Sequence, residues 1–269
     1  MPETFFTTDI RGQFIFLGTG TSVGVPVIGC GCKVCRDRRP LNNRTRCAVA
    51  LGLPGGNLLI DTPPDLRVQL LREEIGVIHS VLFTHEHADH IFGLDDLRLF
   101  PFALGHAVPV FCEPKVEARL RKAYDYAFAD REETHAGSKP KLEIHTIGLE
   151  PFETLGQRVV PVRLGHGPHF DVLGFRIGDV AYCTDAKTIP EESWPKLAGL
   201  DTLVIGALRP RSHPTHMNIE EALAAAERIG ARRTYLTHLS HDIDYDRDAG
   251  KLPANVFFAY DGLRIPLSL

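Results

Sequence analysis

The chain has 269 residues, 43% of them hydrophobic, and no apolar run near the roughly 18 residues that a membrane span needs. Its net charge is -4 without a basic block, which argues against a protein that coats nucleic acid but not against a small anionic substrate. Because neither end shows a signal or transit pattern, we expect a cytoplasmic protein without membrane partners. The length fits one α/β domain, and we predict a single domain over residues 1–269.

Short apolar runs separated by turn residues predict many strands and a few helices. The predicted strands cover residues 13–18, 47–53, 58–61, 80–83, 108–112, 142–147, 158–164, 173–177, 180–183, 203–207, 233–237, 256–258 and 263–265. The predicted helices cover residues 64–74, 88–97, 115–127 and 218–228, and a polar loop is predicted at 129–140. This order predicts an α/β (α+β) fold in which two sheets pack together with helices outside.

Two local sequence patterns predict the conformation of one turn and the ends of one helix. The turn Gly18-Thr19-Gly20 follows the first strand, but no helix or Gly-Lys-Ser/Thr motif follows, so we predict close backbone packing rather than a phosphate loop. Asn218 and Glu221 form a capping-box pattern at the start of an amphipathic helix that Gly230 ends.

A group of metal-ligand residues follows the predicted strand at 80–83: His85, His87, Asp89 and His90. Because helical spacing begins at Ala88, the group lies on a strand-to-helix turn, where the four side chains can converge. Imidazole and carboxylate together suit Zn, Mn, Fe or Ni. The last two residues could reach a second ion about 3.5–4 Å from the first. A His-rich surface loop is the alternative, but the buried strand before it favours a metal site.

Three later strands also end at ligand-type residues: His166, Asp185 and His238. Each is a weak signal alone, because a histidine after a strand is more often an ordinary surface or core residue. Together they repeat the setting of the first group. Since strand ends of one sheet can meet at its edge, we predict that all seven residues form one site.

A cysteine cluster, Cys30-x-Cys32-x-x-Cys35, lies in the irregular segment 26–46. Three thiolates in a cytosolic chain favour zinc over disulfides, and a structural zinc site needs four ligands. The candidate for the fourth is His241, with His79 and Cys47 as weaker choices. Three free thiols are the alternative.

The seven residues at the strand ends resemble, in type and order, the ligands of the metallo-β-lactamase superfamily of binuclear hydrolases. The resemblance covers essentially the whole chain and implies a four-layer αβ/βα sandwich with the site at the sheet edges. It further implies two divalent ions: one held by His85, His87 and His166, the other by Asp89, His90 and His238, with Asp185 bridging them. Asp61 would then support a ligand histidine; capping the turn at Pro63-Pro64 is its alternative role.

The cluster Cys30, Cys32 and Cys35 makes the resemblance more specific, because it points to one family within the superfamily. Together with Gly18-Thr19-Gly20, a Gly-Val-Pro segment and Thr-His-Leu-Ser-His at 237–241, they are similar to the cyclic phosphodiesterase family of the carbon–phosphorus lyase pathway. That family carries a structural zinc beside its binuclear site and opens the cyclic phosphate of a 5-phosphoribosyl 1,2-cyclic phosphate. The protein B family of pyrroloquinoline quinone biosynthesis has a similar cysteine cluster but matches the histidine series less well. The transfer RNA 3′-processing phosphodiesterases carry an RNA-clamping arm, for which this sequence has no basic, Gly-rich insert.

The resemblance to the phosphodiesterases also implies catalytic roles for Asp89, Asp185 and His216, the last as general acid. Locally, His216 is a polar residue before a helix, and His213 is the alternative acid or a phosphate ligand. Arg209 and Arg211 could also bind phosphate. The expected reaction is hydrolysis of a phosphodiester by a water that two metal ions activate, with His216 protonating the leaving oxygen.

We therefore expect a binuclear hydrolase of a small, cyclic phosphodiester, with Zn or Mn, or else Fe or Ni, in the active site and one structural Zn. Three alternatives stay open. The same site could cleave a thioester, lactone or β-lactam; it could bind a cofactor intermediate without hydrolysis; or it could hold a redox diiron centre, which normally needs a flavin partner. A homodimer is the family expectation, and no nucleic-acid substrate is expected.

Overall fold

Two seven-stranded sheets form the centre of the structure, a computed structural model that describes residues 7–37, 39–129, 134–267 and 269. The strands are β1 (Gln13–Gly18), β2 (Ala48–Leu53), β3 (Gly56–Ile60), β4 (Ser80–Leu82), β5 (Val108–Cys112), β6 (Leu142–Thr146), β7 (Phe152–Thr154), β8 (Gln157–Gly165), β9 (Asp171–Ile177), β10 (Val180–Cys183), β11 (Thr202–Gly206), β12 (Arg233–Thr237), β13 (Val256–Phe258) and β14 (Arg264–Pro266). The first sheet has the order β14-β1-β2-β3-β4-β5-β6, and the second has the order β13-β12-β11-β10-β9-β8-β7.

Helices cover the outer faces of both sheets. The α-helices are α1 (Lys33–Arg36), α2 (Leu66–Arg72), α3 (Ala88–Ile91), α4 (Phe100–Leu104), α5 (Pro114–Ala123), α6 (Asp125–Phe128), α7 (Ile219–Ile229) and α8 (Tyr245–Asp248). Short 3-10 helices lie at Pro40–Asn42, Leu94–Leu99, Glu191–Leu197 and Ala249–Lys251. None of the helices in the described part of the chain is long and apolar enough to cross a membrane.

Three apolar cores hold the layers together. The inner faces of the two sheets bury aromatic side chains against each other, including Phe14, Phe16, Phe175 and Tyr182. The outer face of the first sheet packs against α2, α3 and α5, and that of the second packs mainly against the alanine-rich face of α7. Each buried Phe or Leu in such a core contributes about 1.5–3 kcal/mol. The predicted four-layer αβ/βα sandwich is confirmed.

Most predicted elements are present, with ends that shift by one or two residues, but the predicted helices at 88–97 and 115–127 are interrupted. The first stops after one turn, and a Cβ at Gly93 would lie 2.1 Å from the Pro63 carbonyl oxygen, so only glycine fits there. The second breaks at Tyr124, whose buried hydroxyl donates to the Ile91 carbonyl at 3.1 Å. Both interruptions result from contacts distant in sequence.

The remaining predictions of helices and strands differ from the structure in smaller ways. The predicted helix at 64–74 is shorter, and β7, α1, α4, α8 and the 3-10 helices were not predicted. Residues 130–133 of the predicted loop lie outside the described residues. At the glycine turn, a Cβ on Gly18 would lie 2.0 Å from the Arg46 carbonyl oxygen, so the predicted close packing is confirmed.

The carboxyl ends of six strands meet at one edge of the sandwich. β3 and β4 are parallel in the first sheet. β10, β11 and β12 are parallel in the second, and β8 runs in the same direction because both it and β10 are antiparallel to β9. The Leu173 N–H donates to the Thr84 carbonyl at 3.0 Å and joins the two sheets at this edge. Residues that follow these strands therefore come from both sheets into one space.

Candidate metal centre

Three histidines form the first group of potential ligands at this edge: His85, His87 and His166. Each can offer one ring nitrogen, and these nitrogens lie within 4.8 Å of one another. Nε2 of His85 is 3.0 Å from Nδ1 of His87. His85 and His166 are buried, whereas His87 is partly accessible. Burial, and next the charge of His90, lower the pKa of His85 well below its usual range, which favours the neutral ring that metals bind.

A second group consists of Asp89, His90 and His238, whose ligand atoms also lie within 4.8 Å of one another. Nε2 of His90 is 3.3 Å from Oδ2 of Asp89. The His238 side chain is 1% exposed, and among the described residues neither ring nitrogen makes a hydrogen bond, Nε2 having only an ion-pair contact with Asp185. Because an unsatisfied buried polar group costs about 1–3 kcal/mol, this ring is better explained as a ligand than as a core histidine.

Asp185 lies between the two groups. Its Oδ1 is 3.2 Å from Nε2 of His238, and its Oδ2 is 3.3 Å from Nε2 of His90. It also shares one potential site with His85 and another with His166. The histidines in contact with the two carboxylate oxygens belong to the second group, and the shared sites bring the same carboxylate within reach of the first group, so the donor set fits two divalent ions.

The electrostatics agree with cation binding. Burial opposes the charged form of His90, but the carboxylates of Asp185, Asp89 and Asp61 outweigh burial and raise the pKa of His90 well above its usual range. Burial likewise opposes the charged form of Asp185, yet the rings of His238 and His90 hold its pKa well below the usual range. Such a concentration of buried carboxylates requires positive charge, which divalent ions would supply.

Outer hydrogen bonds orient three of the histidines. Asp61 accepts from Nδ1 of His90 at 2.7 Å and from the Thr84 hydroxyl at 2.8 Å. Since that hydroxyl already donates to Asp61, it must accept from Nδ1 of His85, 2.9 Å away. Nδ1 of His166 donates to the Thr215 carbonyl at 2.9 Å. All three rings therefore present Nε2 to the centre.

These contacts place Asp61 beside a candidate ligand histidine, as the supporting role requires. The sequence analysis missed Thr84 and Thr215. Thr84 directly precedes His85, so a search for hydroxyl groups next to predicted ligands would have found it. Thr215 acts through its backbone carbonyl, which any residue type offers.

A separate cluster joins Cys30, Cys32, Cys35 and His241. Nδ1 of His241 lies 3.2, 3.6 and 3.4 Å from the three sulfurs in that order. The Cys35 N–H donates to Sγ of Cys32 and lowers the pKa of that thiol to about 7, whereas burial raises the pKa of Cys35 to about 11. Three sulfurs and one imidazole make a closed donor set of the kind that structural zinc prefers.

The two weaker candidates for the fourth ligand lie elsewhere. His79 accepts from the Asn57 N–H at 3.0 Å through Nδ1. Cys47 is buried and donates to the Gly20 carbonyl at 3.2 Å. The geometry therefore favours His241 over both.

His216 lies at the metal centre, and His213 lies farther out. Nδ1 of His216 is 3.6 Å from Oδ1 of Asp185, and its ring stacks on His238 with centroids 4.6 Å apart. The His213 ring centroid is 5.1 Å from that of His216. Burial, and next the charge of His238, lower the pKa of His216 to about 3.

The two arginines near this segment differ in setting. Arg211 is exposed and pairs with Asp242 at 3.2 Å. Arg209 donates to the Ser212 carbonyl, and its buried Nε has no hydrogen-bond partner in the part of the chain that the structure describes. Burial, and next the charge of Arg209, lower the pKa of His213.

The fold and this candidate metal centre indicate the class of protein to which the chain belongs. Residues 56–239 match the family model described as "Beta-lactamase superfamily domain". The chain belongs to this superfamily of metallo-β-lactamase-fold hydrolases, as the sequence resemblance predicted. Within it, the chain is a member of the PhnP family: a solved structure described as a new diphosphatase from that family is 40% identical, with a TM-score of 0.89, over 96% of this chain and 99% of the other.

Two curated relatives extend the comparison. An octanoyltransferase of Porphyromonas gingivalis (strain ATCC BAA-308 / W83) is 37% identical over 93% of this chain, but this chain spans only 50% of its length. A ribonuclease Z of Mycobacterium bovis (strain BCG / Pasteur 1173P2) is 28% identical over 60% of this chain and 67% of its own length.

Proposed function

We propose that this protein is a phosphodiesterase that uses two divalent ions, zinc or manganese, to hydrolyse a small phosphodiester of the cyclic ribosyl phosphate type. One ion would be held by His85, His87 and His166, the other by Asp89, His90 and His238, with Asp185 between them. The observation that carries the proposal is that the Asp185 carboxylate lies within reach of both ligand groups. It contacts His90 and His238, and a carboxylate oxygen lies within 4.8 Å of a ring nitrogen of His85 and of His166. A structural zinc would be held by the cysteine cluster with His241.

Bound divalent ions would supply Lewis-acid activation of the phosphoryl group and of a water nucleophile. The chain's own residues set the geometry for this chemistry. Asp61, the Thr84 hydroxyl and the Thr215 carbonyl hold three imidazoles with Nε2 inward, so no side chain has to reorient during the reaction. Burial of His85, His90 and Asp185 excludes bulk water and strengthens each charge interaction.

His216 is the residue we assign as proton donor to the leaving oxygen, since it borders Asp185 and is more exposed than the His238 ring on which it stacks. Its low pKa in the free protein means that the ring is neutral at pH 7 before substrate binds. An anionic phosphate against the ring would favour the protonated form. His213, whose ring centroid is 5.1 Å from that of His216, and Arg209, whose charge acts on His213, are the residues we assign to bind phosphate oxygens.

A second candidate substrate is a phosphoanhydride. The observation that favours it is the 40% identical PhnP-family structure, whose protein is described as a diphosphatase. A diester and an anhydride both present a phosphorus with an anionic oxygen and a leaving oxygen, so the same residues serve both. The ribonuclease Z relative favours the diester.

The test is turnover of bis(p-nitrophenyl) phosphate, a ribosyl 1,2-cyclic phosphate and a nucleoside diphosphate by the purified protein loaded with Zn or Mn. We expect hydrolysis of at least one diester, lost after metal chelation and restored by added metal. Turnover of the nucleoside diphosphate alone would establish a phosphoanhydride, and not a phosphodiester, as the substrate. Inactivity on all three compounds with both metals bound, together with cleavage of a thioester or lactone, would refute phosphodiester chemistry.

Replacing His216 with alanine is expected to slow hydrolysis according to the leaving group. For a diester with an alkoxide leaving group we expect a loss of about 10²–10⁴-fold in kcat, because general acid catalysis contributes about that much. Release of p-nitrophenolate needs little protonation and should fall less than about tenfold. The measurement is kcat for both substrates together with metal content. The matched comparison is His213→Ala. If only that variant showed the dependence of kcat on the leaving group, His213 would be the general acid. Loss of metal in His216→Ala would make His216 a metal ligand.

A further inference from the structure

The proposed general acid His216 lies in the connection between β11 and α7, which contains neither helix nor strand. Backbone hydrogen bonds hold this connection on both sides of the histidine. The Thr215 carbonyl accepts from Nδ1 of His166 at 2.9 Å. The Met217 N–H donates to the Ala186 carbonyl, just after β10, at 2.8 Å. The place of the His216 ring at the metal centre therefore depends on contacts between this connection and the ends of β8 and β10.

An ion pair joins helix α7 to the chain that follows β10. Nζ of Lys187 lies 2.7 and 2.8 Å from the two carboxylate oxygens of Glu221, in the first turn of α7. The same carboxylate accepts from the Asn218 N–H at 2.9 Å, and the Asn218 side chain accepts from the Glu221 N–H at 2.8 Å. The capping box predicted from the sequence is thus confirmed, and its glutamate has a second partner. Burial opposes the charged form of Glu221, but the hydrogen bonds from Lys187 and Asn218 hold its pKa below the usual range.

The backbone around Lys187 is itself fixed to the end of β8. The Lys187 N–H donates to the Gly165 carbonyl at 2.7 Å, and the Gly165 N–H donates to the Thr188 carbonyl at 2.9 Å. Gly165 directly precedes the candidate ligand His166. The lysine therefore extends from a point where two strand ends of the metal centre are bonded to each other.

The ion pair spans the gap between the segments that carry Asp185 and His216. Lys187 follows Asp185 by two residues. Asn218, whose N–H donates to Glu221, follows His216 by two residues. The pair thus links the same two segments across which Nδ1 of His216 lies 3.6 Å from Oδ1 of Asp185. Because 20% of the lysine and 39% of the glutamate side chain are exposed, such a pair adds little to stability, which leaves positioning as its main effect.

We propose that Lys187 and Glu221 are positioning residues, which together hold His216 where it can protonate the leaving oxygen. This inference rests on the proposed function, because it takes His216 as the general acid. Both side chains act through the backbone of the connection and not on the substrate. Their effect on rate can exceed their effect on stability, since a displacement of about 1 Å at a reacting group can cost about 10²-fold in rate.

The variant Glu221→Gln tests the pair, because glutamine keeps the capping hydrogen bond but removes the charge that Lys187 binds. For a diester with an alkoxide leaving group, we expect kcat to fall about tenfold or more at unchanged KM. Release of p-nitrophenolate should stay within about threefold of wild type, because it needs little protonation. Lys187→Met should show the same pattern, and Lys187→Arg should recover most of the kcat, since arginine can pair with a carboxylate. Metal content should not change in any of the three.

The matched control is Glu191→Gln, which removes one charge from an ion pair with Arg228 near the other end of α7. It should keep the wild-type kcat for both substrates. A double variant Lys187→Met, Glu221→Gln should be no slower than the slower single variant, because both changes break one link. Equal losses for both leaving groups would overturn the inference. So would a rise in KM, which would make Lys187 a substrate ligand, or the same loss in Glu191→Gln.

Hydrogen–deuterium exchange of the Met217 N–H separates this inference from the proposed function, because it needs no substrate. The hydrogen bond to Ala186 should open more often in Lys187→Met, with exchange at least about tenfold faster than in wild type and in Glu191→Gln. Unchanged exchange would overturn the positioning role. Faster exchange in a protein that hydrolyses no diester would contradict the proposed function and still support the anchoring of this connection by Lys187 and Glu221.

Discussion

Replacing Asp185 with asparagine is expected to remove bound metal from the active site and to lower kcat/KM at least about 10³-fold. The carboxylate contacts two histidines of the second ligand group and lies within 4.8 Å of ligand nitrogens of the first, so its loss weakens both metal sites at once. Asparagine has the same shape and tolerates the left-handed backbone that Asp185 adopts at φ 57°, so the change removes charge without new strain. Metal content and steady-state kinetics are the measurements.

The matched control is Asp179→Asn, an equal loss of charge at an exposed position in the turn between β9 and β10. It should retain both metal content and turnover. An Asp185→Asn protein with two tightly bound active-site ions and turnover within tenfold of wild type would show that Asp185 does not bridge the two groups.

Replacing Cys35 with serine is expected to remove one zinc ion per chain and to destabilise the fold by roughly 3 kcal/mol, or about 6–12 °C in Tm. Cys35 is buried, and its sulfur lies 3.4 Å from Nδ1 of His241. Without zinc, the segment 26–46 would keep only its other anchors to the active-site loop, such as the Arg44 hydrogen bonds to the Ser240 and Ile243 carbonyls. We therefore expect faster proteolysis within this segment.

Cys112→Ser is the control, because it also places a hydroxyl at a buried cysteine but lies in β5, outside the thiol cluster. Its Tm can fall through core disruption, so zinc content is the deciding measurement. Equal zinc content in the Cys35 variant and the Cys112 variant would contradict a structural zinc site.

Much of the candidate site could be predicted because its residues follow strands directly. An apolar run ending in His85, Asp185 or His238 identifies both a strand and the residue at its carboxyl end. The fourth partner of the thiols was predictable from chain proximity, since His241 lies three residues after His238. The roles of these residues as metal ligands stay predictions that metal analysis must test.

The features that the sequence did not predict depend on contacts between segments that are distant in the chain. The break at Tyr124 follows from its hydrogen bond to Ile91, 33 residues away. Thr215 likewise orients His166 through its backbone carbonyl across 49 positions of the chain, and any residue type offers such a carbonyl.

Three candidate site residues have a left-handed backbone conformation, which is uncommon outside glycine although Asp and His adopt it more often than most residues. Five non-glycine residues among the described part of the chain have positive φ, and three of them are Asp61, Asp185 and His238, at 68°, 57° and 59°. Each costs about 1–2 kcal/mol relative to glycine. Directed evolution for heat resistance alone should therefore enrich glycine or asparagine at these positions and produce stable but inactive proteins. A screen that alternates thermal challenge with turnover should keep all three.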